Sequence, residues 1–109
     1  MPQVLKVLGQ VTPAATTATD LYTVPASTQT TVSTVTICNR AGTSASFRLY
    51  VRVAGVAIDN KQYIYYDQPI DGNSTFALTL GVTLAATDKL SVYASTANLS
   101  FNAFGVELS

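Results

Sequence analysis

The stretch Phe47-Arg48-Leu49-Tyr50-Val51-Arg52-Val53 alternates without a break. Phe47, Leu49, Val51 and Val53 share one parity, and Arg48, Tyr50 and Arg52 share the other. A period of two is the repeat of a β-strand, whose successive side chains leave opposite faces of a sheet. Such a strand needs one dry face and one that is wet or covered by a partner. Downstream, Phe76, Leu78, Leu80 and Val82 alternate with Thr75, Ala77, Thr79 and Gly81, and Leu90, Val92 and Ala94 alternate with Ser91, Tyr93 and Ser95. Upstream, Gln3 to Val11, Asp20 to Val24 and the Thr/Val-rich Gln29 to Asn39 read as strands separated by Pro13, Pro25 and the turn Arg40-Ala41-Gly42-Thr43. Asp71-Gly72-Asn73 is a tight turn, since these residues tolerate the left-handed backbone. Val56 to Ile58 and Gln62 to Tyr66 are expected to flank a turn at Asp59-Asn60-Lys61. No stretch carries a helical apolar period with caps.

The last strand changes phase. Leu99, Phe101 and Ala103 keep one parity, whereas Phe104, Val106 and Leu108 take the other. A β-bulge near Gly105 would return both sets to one face; alternatively a second chain covers the outer face. The N-terminal segment is two-sided in the same way through Val4, Leu5, Val7, Leu8 and Val11. Roughly seven to nine short antiparallel strands and no helix make a sandwich or a small barrel. The expected fold is all-β, a two-sheet Greek-key β-sandwich, immunoglobulin-like or jelly-roll-like. Residues 1–109 are expected to form one domain, with residues 1–13 as a candidate N-terminal arm or exchanged edge strand.

Composition narrows the function. Charged residues make up 11% of the 109 residues, against about 25% in ordinary soluble domains, and Thr, Ser and Ala replace them. The formal net charge is +0, which gives no colloidal protection and suits a subunit whose faces are covered in an assembly. Six basic residues, scattered among six acidic ones, leave no footprint for a phosphate backbone, so nucleic acid is not an expected ligand. No segment approaches the ~18 apolar residues that span a bilayer, and the N-terminus lacks the pattern of a signal peptide.

Catalytic groups are sparse. The chain has no His and one Cys, which removes the usual base of hydrolytic triads and prevents a thiolate or imidazole metal site within one chain. Cys38, in the strand-like Thr36-Ile37-Cys38, reads as a small apolar filler. Asp67 and Asp71 share a loop, as a glycosidase pair might, but acids at turns ordinarily bond backbone N–H groups. No enzyme activity and no cofactor are expected. Two constellations suit contact with macromolecules: Arg48, Tyr50 and Arg52 in a row, and Tyr63 with Tyr65 on one face of Gln62-Tyr63-Ile64-Tyr65-Tyr66-Asp67. Arg and Tyr are enriched at interfaces, although the same residues also pair across strands merely to cover a sheet. Phe104 and Val106 complete the set of candidate partner-contact residues.

Leu21-Tyr22-Thr23-Val24-Pro25-Ala26, Ile37-Cys38-Asn39-Arg40, Tyr63-Ile64-Tyr65-Tyr66-Asp67 with Pro69-Ile70, Leu84 to Ser95, and the closing Leu99 to Glu107 together resemble small virion proteins of tailed bacteriophages. The resemblance implies a β-sandwich scaffold and a structural role, foremost as a capsid cement or decoration protein on the capsid surface. Such a subunit would be assembled in the host cytoplasm, bind the major capsid protein and self-associate, by shell symmetry as a homotrimer. A glycan-binding module of a tail or fibre is the alternative.

Overall fold

The structure, a computed structural model, describes residues 3–109. Eight strands follow one another: Gln3–Val11 (β1), Thr19–Thr23 (β2), Gln29–Asn39 (β3), Ala45–Arg52 (β4), Tyr63–Ile70 (β5), Thr75–Leu84 (β6), Lys89–Ala94 (β7) and Leu99–Leu108 (β8). Short 3₁₀ turns at Val53–Gly55 and Asn60–Gln62 interrupt the β4–β5 connection. The strands form two four-stranded sheets, ordered β1-β8-β3-β6 (sheet A) and β2-β7-β4-β5 (sheet B), and the recorded pairings are antiparallel. That order is the jelly roll, which selects between the two sandwich types the sequence allowed.

The core lies between the sheets. Phe47, Leu49, Leu90, Val92 and Ala94 of sheet B face Val32, Val35, Ile37, Phe101 and Ala103 of sheet A, each with essentially no exposed surface. Phe47 is at its centre, with ring centroids 5.8 Å from Phe76, 6.0 Å from Tyr65 and 6.1 Å from Phe101. The alternation in β4, β6, β7 and β8 therefore does what its period demands. Val53 departs from it. It has left the strand for the 3₁₀ turn and is 63% exposed. Val56 to Ile58 likewise form no strand, and β5 begins at Tyr63.

The phase change in the last strand is not produced by a bulge in β8. β8 keeps its alternation throughout: Ala103 opposes buried Val35, and Gly105 opposes buried Val32. The bulges sit on its neighbours, where Leu8 is extra in β1 and Ser33 extra in β3. Phe104 and Val106 thus stay on the outer face. Gly105 is needed for another reason. A Cβ there would stand 2.1 Å from the carbonyl oxygen of Thr31 and 3.0 Å from Leu8.

Buried polar side chains hold the ends of the sandwich. Asn39 Nδ2 donates to the carbonyls of Thr43, Ile70 and Asp71, at 2.9, 3.3 and 3.3 Å, and its Oδ1 accepts from Ala41 N. This ties the β3–β4 turn to the end of β5. At another turn Asp88 accepts from the N–H groups of Ala54 and Ala85, each at 2.9 Å, fixing Ala54 at a left-handed φ of 54°.

Candidate interaction surfaces

The outer face of sheet B carries the Arg/Tyr row. The residues directly opposed across β4 and β7, Arg48 with Tyr93, Tyr50 with Ser91 and Arg52 with Lys89, all project outward. Arg48 is enclosed by aromatic rings and an acid. Its Nε and Nη2 donate to the two oxygens of Asp67 at 2.6 and 3.3 Å, and its guanidinium lies 4.2 Å from the centroids of both Tyr66 and Tyr93. Tyr50 is only 1% exposed, with its ring 5.1 Å from that of Tyr63. Arg52 donates to the carbonyls of Val56 and Gly55 and to Asp20, so it buttresses the turn that follows its own strand. Asp20 also accepts from Lys89 and Ser91. Burial would raise its pKa, but the Ser91 and Lys89 hydrogen bonds and the charges of Lys89 and Arg52 outweigh it and hold the carboxyl below its ordinary value.

Tyr63 and Tyr65 do not share a face. Leu49 opposes Tyr65 and Tyr50 opposes Tyr63, so Ile64 is an extra residue in β5; a second shift falls at Tyr66-Asp67, where Asp67 adopts a φ of 50°. Each shift reverses the parity. Tyr65 turns into the core beside Phe47 and Phe76, while Tyr63 and Tyr66 remain outside and meet edge-on, their planes 83° apart. The chosen row is therefore largely a self-satisfied layer. Asp67, engaged on both oxygens by Arg48, is bound into it.

The outer face of sheet A is built differently. Register places Leu5, Val106, Thr31 and Thr83 in one row across the four strands, and Val7, Phe104, Thr34 and Thr79 in the next. Gln10, Asn102, Thr36 and Ala77 follow, then Ser100, Cys38 and Thr75. No Asp, Glu, Lys or Arg projects from this face among the described residues. The two charges on its strands, Lys6 and Glu107, belong to the opposite parity: Lys6 opposes Gly105 and Glu107 opposes buried Thr30. They pair with each other at 3.2 Å. On this face Leu5 is 85% exposed and Val7 48%, while Val4, opposite Glu107, is of the other parity. Cys38 is half-buried on this face between Ser100 and Thr75, outside the core its strand position suggested.

A second apolar region lies on the β4–β5 connection. Val51, Val53, Ala54, Val56, Lys61 and Gln62 line an open hollow of about 650 Å3. Among the described residues no three His, Cys, Asp or Glu side chains cluster to hold a metal, and no helix is long and apolar enough to cross a membrane.

No protein-family model matches the chain, and no curated protein is similar to it in sequence. Among solved structures the chain is similar to one in the structure of infectious bursal disease virus, Gx strain, with a TM-score of 0.55 at 8% identity. The match covers 97% of this chain and 31% of the other, so the chain spans about a third of the length of that neighbour. At this identity the likeness is one of fold.

Proposed function

We propose that this chain is a non-enzymatic virion structural protein, acting as a capsid cement or decoration subunit that bridges major capsid protein subunits and stabilises the shell. The observation that carries the reading is the uncharged outer face of sheet A. Four strands spaced about 4.8 Å apart and some 30 Å long make a face of roughly 600 Å2, near the ~800 Å2 per partner of a standard interface. Covering it desolvates no ion, which removes the largest penalty of burying a surface. The jelly-roll fold, its likeness to a chain of a virus structure and the sequence resemblance to phage virion proteins support the same direction. The phage source itself rests on that resemblance alone.

A glycan-binding tail module would ask for a flat aromatic platform. Tyr63 and Tyr65 lie on opposite faces and Tyr66 meets Tyr63 edge-on, so no observation favours it. A hydrolase using Asp67 would have to give up the Arg48 ion pair, which occupies both of its oxygens. The test is incorporation. A particle map should show density for this protein at stoichiometric copy number, with the face of sheet A against the shell, and particles lacking it should lose heat resistance. A few copies confined to the tail would refute the cement role.

A further inference from the structure

Each sheet has two edge strands, and three of the four edges are protected against pairing with another chain. β2 is five residues long, is bulged at Leu21 and bears Asp20. β5 contains Pro69 and two register shifts, with Asp67 in the left-handed region. β6 has a register shift opposite Ser33 and Gly81 at a φ of 65°. These are the devices that keep sheet edges from associating. Over Gln3 to Val7 β1 has only one of them, the charge of Lys6; each residue opposes one of β8 in unbroken register from Leu108 to Phe104, and the bulge comes only at Leu8. This segment carries the most exposed large apolar residue of those described, Leu5 at 85%.

We infer that this edge pairs with the same edge of a second copy, antiparallel about a twofold axis at Leu5, to make one sheet continuous across two molecules. Charge favours a copy of the chain as occupant. The only ionised group on the segment, Lys6, is held by Glu107 of its own chain, and in this register it faces Val4 of the second copy rather than another lysine. Leu5 then meets Leu5, Val7 meets Gln3, and the apolar strip formed with Phe104 and Val106 runs unbroken over the axis. Like edges meeting antiparallel generate a twofold, closed contact, so the edge specifies a dimer in place of the trimer that shell symmetry suggests. In the structure β1 is already paired to β8 of its own chain, so the dimer forms by addition of a strand edge and requires no exchange of β1.

The contact is small beside the ~1,600 Å2 total of a stable complex, so dimer formation should follow concentration. Sedimentation equilibrium of the purified chain should show the mass rising from one chain to two as concentration increases. Leu5→Lys and Leu5→Glu, at a site too exposed to disturb the core, should each sediment as a folded single chain with unchanged circular dichroism. An equimolar mixture of the two variants should restore the two-chain species, because the new charges then oppose each other. A wild-type chain that remains single, a trimer, a Leu5→Lys variant that still doubles, or a mixture that fails to restore association would each overturn the assignment. None of these outcomes bears on incorporation into particles, where the virion reading stands or falls.

Discussion

Tyr22 links the two sheets at one end of the sandwich. Its phenol donates to Glu107 Oε2, and with that proton committed, Thr30 Oγ1 donates to the phenol oxygen at 2.8 Å. Burial, followed by the adjacent Glu107 carboxylate, pushes the phenol up to about 12. The Tyr22 hydrogen bond in turn lowers the Glu107 carboxyl against the opposing effect of burial, with Lys6 assisting. The pH consequences have opposite signs. An unfolded tyrosine ionises near 10, so between pH 10 and about 12 the unfolded chain has released a proton the native chain retains, and stability falls as pH rises. Glu107 contributes stability above its ordinary value of 4.5, and that contribution is lost as pH falls below it. Tyr22→Phe should cost about 1.5–3 kcal/mol in urea unfolding near pH 7. It should also remove one tyrosine from the late, high-pH rise in absorbance and weaken the acid dependence. Nothing in the local sequence marks Tyr22 for this role, because its partners lie 8 and 85 residues away. The role of Asn39 is hidden for the same reason: two of its bonds reach carbonyls 31 and 32 residues away, at Ile70 and Asp71.

At the scale of elements, strands with an unbroken period of two were legible, and strands with an inserted residue were not. In β4 and β7 the inward set was read from alternation alone, up to the point where Val53 enters the turn. In β5 the same rule put Tyr63 and Tyr65 together, because an insertion such as Ile64 leaves no compositional trace and is visible only in the partner's register. Gly105 gave a true signal with a different cause. The parity change suggests a bulge there, whereas Gly105 provides room for Thr31 and Leu8. Gly105→Ala should therefore destabilise the fold by about 1–3 kcal/mol through overpacking. Gly81→Ala, which has no atom within 4 Å of its added carbon, should cost only about 1–2 kcal/mol of left-handed backbone strain. Thermal denaturation of the two variants side by side would check the order.

For the whole molecule, low charge resolves into a spatial pattern. The six acids and six bases are spent largely at turns, on the outer layer of sheet B and in the Lys6–Glu107 pair, leaving one broad face of sheet A without ions. Composition announced the shortage, but only the register could say where it falls. The Arg/Tyr row, legible as a group, is satisfied within the chain. Arg48→Met is therefore expected to lower the melting temperature while leaving incorporation into particles unchanged. Phe104→Lys, on the uncharged face, should do the reverse: remain folded by circular dichroism and be lost from particles in co-sedimentation.

The pairing of Gln3 with Leu108 has a consequence for biosynthesis. As β8 inserts between β1 and β3, β1 has no neighbour in its own sheet until β8 has emerged from the ribosome. Before that, the nascent polypeptide can join β3 to β6 and complete sheet B, while β1 stays single. Closure of sheet A thus waits for β8, which slots into a gap between two strands already made.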